Sequence, residues 1–293
     1  LFRSYFDKIR ASIRFKHFKK TYDENILDIK GGLNDVVMNN SPIDIDKLIE
    51  GTNEILTANR NSLQLFDMLH SMRQFDDLTY VHSVNVALIA SILGQWLKFS
   101  EKDIRILTIS GLLHDIGKIM IPNEILTKPG KLTVAEYNIM KQHVNFGYEK
   151  VKNQNIDIRI KEACLLHHEK CDGTGYPFGL KSDHIPAVAK IIAIADVYDA
   201  MTSARVYRGA LCPFEVIDTM YKDAFTKFEP EYILPFLKNV ASSYINNDVR
   251  LSDGRIGKVV LINENALSLP IVQCEDEFID LSKTRGLTVS AIL

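Results

Sequence analysis

The chain has 293 residues, 46% hydrophobic and 25% charged, with a net charge of −2. That balance fits one large globular domain or two smaller ones, and it marks no long nucleic-acid partner. No apolar run approaches the roughly 18 residues that span a bilayer, and no signal-peptide pattern opens the chain.

Residue 1 is Leu, so an upstream sensor domain or membrane anchor outside this chain is compatible with the sequence. Cys164, Cys171, Cys212 and Cys274 match no zinc module. They read as free thiols, and the expected location is cytoplasmic.

Residues 1–20 hold seven Lys or Arg and one acid, Asp7. Phe2, Phe6, Ile9 and Ile13 predict a helical stripe, either an ordinary packed helix or a signalling connector. Gly31-Gly32 is read as a break. Ser41-Pro42 predicts the start of a helix carrying Ile45, Leu48, Ile49, Ile55 and Leu56. Asn61-Ser62 opens another through Leu65, Phe66, Leu69 and Met72. Residues 1–75 thus form an α-helical region without a catalytic cluster, a candidate regulatory or dimerisation unit.

A strong helix is expected over 78–98, carrying Val84, Ala87, Leu88 and Ser91, with His82 in it. A second runs over 103–119, with Ile104, Leu107, Leu112, Leu113 and Ile116 around His114-Asp115. A buried carboxylate is costly unless it is paired or binds a metal. Lys118 follows His114 by four residues, hence on the same helical face, where a cation suits an anionic substrate. Thr133 and Glu136 form a capping box for a helix expected to carry His143.

Residues 157–168 predict a helix ending in His167-His168, followed by the turn-rich loop Glu169–Pro177. Pro186 opens an apolar helix through Ile191, Ile192, Ile194, Ala195 and Val197, with Asp196 inside it. Helices starting at Pro213 and spanning 230–245 complete this section. Beyond Asn246-Asn247, Asp253-Gly254 between two β-rich runs signals a hairpin. Pro270–Cys274 and Phe278–Leu281 are candidates for further short strands, so residues 246–293 read as a small β appendage.

Taken singly, each histidine is more simply a packing residue. Together His82, His114, His143, His167 and His168, with Asp115 and Asp196, supply seven ligand-type side chains on or at the ends of helices. Helical bundles build metal sites from such inward-facing residues. This set can hold two metal ions if one carboxylate bridges, an arrangement suited to phosphoryl displacement.

The ordered motifs His114-Asp115 with Gly117-Lys118, His143, His167-His168, Asp172–Pro177 and Asp196 resemble the HD-GYP domain. This is a bacterial branch of the HD phosphohydrolases. The resemblance covers residues 76 to about 245, and the β tail is similar to one that follows some members. It implies a mostly α, HD-type helical bundle flanked by the N-terminal helices and the β appendage, and cyclic di-GMP phosphodiesterase activity. It assigns one metal to His82, His114, Asp115 and Asp196, and the other to Asp115, His143, His167 and His168.

In that family picture Asp115 bridges and a metal-bridging hydroxide attacks phosphorus. Lys118 binds the scissile phosphate, and Gly175, Tyr176 and Pro177 shape the substrate pocket. Arg205 and Arg208 match positions that contact phosphate and guanine. Two divalent transition metals are implied, iron or manganese foremost. The expected product is linear pGpG, with slow passage to GMP, and the N-terminal helices are the candidate homodimer surface.

Some members carry a Glu one helical turn before the first His and hold a third metal. Here that position is Leu78, and Asp77 points well around the helix, so a dinuclear site is expected. Two rival readings are a catalytically weak cyclic-dinucleotide receptor signalling through the N-terminal helices, and an HD phosphohydrolase acting on another nucleotide.

Overall fold

The computed structural model describes residues 5–59, 62–72, 78–203 and 211–293. Arg205, Arg208 and Asp77 lie outside the described residues. Over the described residues the chain is mostly helical and ends in a small sheet, as the sequence indicates.

α1 (Tyr5–Ala11) stops at Ser12, whose hydroxyl caps α2 (Ile13–Asn39) by accepting from the Phe15 amide at 3.1 Å. The expected stripe through Ile9 and Ile13 does not continue, since Ile13 is 87% exposed. The buried stripe instead runs Phe15, Phe18, Tyr22, Ile26, Ile29, Leu33, Val36. α2 also passes straight through Gly31-Gly32. Two glycines cost a helix about 1 kcal/mol each, and the apolar stripe on both sides of them outweighs that cost.

α3 (Ile45–Ala58) begins later than Ser41-Pro42 suggests. Asp44 is the cap and accepts from the Lys47 amide at 3.2 Å. α4 (Ser62–Ser71) places Phe66 against Trp96 and Tyr198.

The bundle centre is α5 (Leu78–Trp96) against α6 (Glu101–Leu113) and α11 (Ala187–Thr202). α5 buries nearly every residue from Ser83 to Leu93, which explains its all-round apolar character. α6 is the second departure. It ends at Leu113 rather than near 119, and a 3-10 turn, Ile116–Met120, follows. His114-Asp115 sits in that break, and Lys118 is not on a continuous α-helical face with His114. Gly117 makes the change of direction fit, because a Cβ there would stand 1.9 Å from the His143 carbonyl oxygen.

α7 (Asn123–Leu126) leads to α8 (Val134–Met140), which starts on the expected Thr133–Glu136 capping box. α8 ends before His143. A short turn separates it from α9 (His143–Val151), so His143 opens a helix of its own. α10 (Ile158–Leu166) ends at His167-His168. Ile191–Ala195 lies within helical α11, followed by α12 (Pro213–Asp223) and α13 (Pro230–Ser242).

The appendage is one antiparallel sheet in the order β4 (Glu277–Asp280), β3 (Ile271–Cys274), β2 (Ile256–Leu261), β1 (Asp248–Leu251), β5 (Val289–Ile292). β1 and β2 are the expected hairpin around Asp253-Gly254, and Gly254 takes a positive φ of 93° there. Alternate residues Val249, Leu251 and Val259 are buried, and β5 lies against α12. The buried core is continuous from Phe15 to Ile292. All four cysteines are free. Among the described residues no helix is long and apolar enough to cross a membrane.

Candidate metal centre

Five elements aim side chains at one point: α5 with His82, the end of α6 with His114-Asp115, the start of α9 with His143, the end of α10 with His167-His168, and α11 with Asp196. His82, His114, Asp115, His143, His167 and Asp196 are all buried. Asp115 lies between two groups of potential donors, one with His82 and His114 and one with His143, His167 and His168. Its Oδ2 faces His114 Nε2 at 3.2 Å and His82 Nε2 at 3.6 Å. Its Oδ1 faces His143 Nε2 at 3.3 Å and His167 Nε2 at 3.7 Å. Asp196 spans the same gap on the other side, with Oδ1 2.9 Å from His82 Nε2 and Oδ2 3.7 Å from His168 Nδ1.

The helix ends fix the imidazole tautomers. Nδ1 of His114, His143 and His167 donates to the carbonyls of Gly111, Met140 and Ala163 at 2.8, 2.8 and 3.0 Å. A carbonyl can only accept, so each Nδ1 carries a proton, and a neutral ring held this way turns its Nε2 lone pair inward. Burial favours the neutral form of His143 and His114. It pulls His143 down to about 3, with Lys118 and His167 adding to the effect against Asp115. It also lowers His114 and His168 despite nearby carboxylates.

Burial alone would raise Asp115, but the Lys118 ammonium beside it holds the carboxyl well below the usual range. Asp196 is held low against its own burial by its hydrogen bond to His82.

Such a set fits a divalent cation. His143 Nε2 and His167 Nε2 stand 3.4 Å apart as two lone pairs. Among the described residues, His114 Nε2 and Asp115 Oδ1 are buried without a hydrogen-bond partner. A cation between converging lone pairs satisfies all of them, and a mixed imidazole and carboxylate set suits Fe, Mn or Zn.

His82 differs. Burial lowers it, yet hydrogen bonds to Asp196 and Asp199 raise it to about 9. Its Nδ1 bonds Asp199 Oδ2 at 2.7 Å, the carboxylate–histidine pairing that orients metal-ligating imidazoles. Sequence reasoning missed Asp199. The signal was its position one helical turn after Asp196, in Asp-Val-Tyr-Asp.

Lys118 is partly buried and pairs with Asp115 Oδ2. Tyr176 stacks on His168, with ring centroids 4.7 Å apart, and its neighbour Pro177 follows a cis peptide bond. Gly175 lets the loop close on the site, since a Cβ there would meet the Lys170 amide at 2.4 Å.

Glu169, also missed, anchors this loop. Its buried carboxylate accepts from the amides of Phe178, Gly179 and Leu180 at 2.7, 3.1 and 2.9 Å. The signal was an acid directly after His167-His168, heading a glycine-rich turn. At the rim, Lys141 Nζ lies 5.3 Å from the Tyr137 ring centroid and 6.0 Å from that of Tyr176. Neither Tyr137 nor Lys141 was singled out from sequence.

The HD domain family model matches residues 50–232. The chain is 36% identical over 203 residues to a cyclic di-GMP phosphodiesterase of Pseudomonas aeruginosa, covering 69% of this chain and 49% of that protein. It is 36% identical over 197 residues to the cyclic di-GMP phosphodiesterase response regulator of Xanthomonas campestris pv. campestris, covering 67% and 52%.

The chain thus spans about half the length of these curated relatives. An HDG"Y"P protein from Bdellovibrio bacteriovorus shares the fold, with a TM-score of 0.56 at 17% identity over 79% of this chain and 74% of that one. The chain belongs to the HD domain family, in the HD-GYP branch that its own motifs mark.

Proposed function

We propose that the chain is a metal-dependent phosphodiesterase that hydrolyses cyclic di-GMP to linear pGpG. The observation that carries this reading is Asp115, whose two oxygens face two different histidine groups. A carboxylate so placed suits a dinuclear site with ions roughly 3.5–4 Å apart. His82, His114, Asp115 and Asp196 would hold one ion, and Asp115, His143, His167 and His168 the other. Iron or manganese suits these nitrogen and oxygen donors. When bound, the pair would activate water and neutralise charge developing on the phosphate.

The chain's own residues would do the rest. Lys118, beside Asp115, would hold the scissile phosphate. Tyr176, backed by His168, and the flanking Gly175 and Pro177 would shape the pocket for a base. Arg205 and Arg208 are assigned to phosphate and guanine. Residues 1–75 would act as a regulatory or dimerisation region, 76–245 as the catalytic unit and 246–293 as a covering appendage. The free thiols suit a cytoplasmic enzyme.

Purified chain loaded with Fe(II) or Mn(II) should cleave cyclic di-GMP, followed by chromatography against other cyclic dinucleotides. Tight cyclic di-GMP binding without turnover in any metal form would replace this reading with a receptor role.

A further inference from the structure

α2 belongs to the region assigned above to regulation, yet it reaches the metal centre through an unbroken chain of buried side chains. Tyr22 on α2 is fully buried, and its hydroxyl lies 2.5 Å from Asn85 Oδ1 on α5. Asn85 Nδ2 lies 2.8 Å from Asp199 Oδ1 on α11. Asp199 Oδ2 lies 2.7 Å from His82 Nδ1, back on α5.

The polarity of this chain follows from its charged member. Asp199 can only accept, so Asn85 must present its amide NH2 to it. The Asn85 carbonyl oxygen is then left for Tyr22, whose hydroxyl must donate. Ser203 Oγ adds a bond to Asp199 Oδ1 at 3.1 Å. With Oδ1 held this way, Oδ2 accepts the hydrogen bond that His82 Nδ1–H donates, which leaves Nε2 facing Asp115 and Asp196.

We propose that Tyr22 and Asn85 are positioning residues for His82, so that the seating of α2 sets the geometry of one half of the metal centre. The inference rests on the metal centre proposed above. Packing does not require the Tyr22 hydroxyl. The ring continues the Phe15 and Phe18 stripe, and Phe would fill the same space. What the hydroxyl adds is the bond to Asn85; a second acceptor, the Val81 carbonyl, is a distant 3.4 Å. Removing it strands a buried amide oxygen and frees Asn85 to turn. Asp199 Oδ1 then loses the shorter of its two donors, Asn85 Nδ2, and keeps only Ser203 Oγ.

The experiment uses the full chain as wild type, Tyr22→Phe, Asn85→Ala, Asp199→Asn and the Tyr22→Phe/Asp199→Asn pair. Mn2+ stoichiometry and affinity are measured by chelator competition, alongside thermal unfolding and cyclic di-GMP turnover. Loss of an outer partner of a metal ligand typically weakens affinity about 10–100-fold, and Asp199→Asn should fall in that range. Tyr22→Phe should weaken one of two Mn2+ equivalents by about 3–10-fold, a smaller effect than that range because it acts two bonds further out. Asn85→Ala should lie between the two.

Tyr22→Phe should add little in the pair, because both changes cut the same chain. A purely structural role predicts the reverse, a lower unfolding temperature with unchanged affinity in Tyr22→Phe and full additivity in the pair. That result overturns the inference and leaves the metal centre standing. Wild-type chain that binds no Mn2+ overturns both.

Discussion

Asp115 Oδ1 stands 3.3 Å from His143 Nε2, although the two residues lie on different helix ends and His143 Nδ1 is already committed to the Met140 carbonyl. The same carboxylate turns Oδ2 toward His114. One side chain therefore serves both donor groups, and its removal should be felt by both. Asp115→Asn keeps the shape and drops the charge. It should bind less than one metal per chain, against about two in wild type, and cleave cyclic di-GMP on the order of 10³-fold more slowly. His143→Ala should spare the His82 side and retain about one. Elemental analysis and initial rates check this, and an Asp115→Asn variant that keeps both metals would refute the shared-ligand geometry.

Glu169 makes a second outcome testable. Three backbone N–H groups of the loop end on its carboxylate, and a hydrogen bond to a charged group contributes roughly 1.5–3 kcal/mol. Glu169→Ala should release residues 178–180 and the preceding loop that stacks Tyr176 on His168. Hydrogen exchange there should speed up at least tenfold for about 1.4 kcal/mol lost. The KM for cyclic di-GMP should rise more than kcat falls, because metal donors are untouched. Unchanged exchange at Phe178, Gly179 and Leu180 would show that the carboxylate does not hold the loop.

The ligand-type residues were legible in sequence because chemistry limits which side chains suit a metal, and six of the seven stand in ordered motifs. Their geometry was less so. Periodicity carried the central helix past Asp115, since Ile116 continues the apolar spacing. Gly117 against the His143 carbonyl is what turns the chain. That contact joins residues distant in sequence, so no local pattern reveals it.

Gly31-Gly32 misleads for the converse reason, because tertiary burial of Ile29 and Leu33 overrides a local propensity. Asp199 and Glu169 were hidden because their partners, His82 Nδ1 and three loop amides, are defined only by folding. β5 was missed because its pairing partner, β1, lies some forty residues earlier.

The capping box of α8 gives a pH dependence. Glu136 accepts from the Thr133 amide at 2.7 Å and pairs with Lys128 at 2.6 Å. The Lys128 hydrogen bond, then those from Thr133, lower its carboxyl from 4.5 to about 2. A depressed folded-state value means stabilisation that is present above the unfolded value and lost as pH falls. The window runs from about 4.5 down to about 2. Glu136→Gln should therefore loosen α8, with faster amide exchange over Val134–Met140 at pH 7. Most of that difference from wild type should vanish near the bottom of the window. A difference that grows on acidification has the wrong sign for this network. Tyr137 and Lys141, at the rim beside Tyr176, ride on the same segment.

The identity of residue 78 predicts the product. α5 begins at Leu78, one turn before His82, the position at which family members with a third metal carry a Glu. Leu offers no donor atom, so the proposed centre should hold two ions. Two suffice for one in-line cleavage of a cyclic diester. The linear product carries a terminal phosphate with greater negative charge than the diester, and nothing at position 78 recruits a cation to hold it for a second cut. Linear pGpG should therefore accumulate, with GMP late or absent.

A time course resolved by chromatography checks this. Leu78→Glu provides the complementary arm and should raise metal content above two per chain and speed conversion of pGpG to GMP. Prompt release of GMP by the wild-type chain, without a lag or a pGpG maximum, would show that residue 78 does not limit the second step.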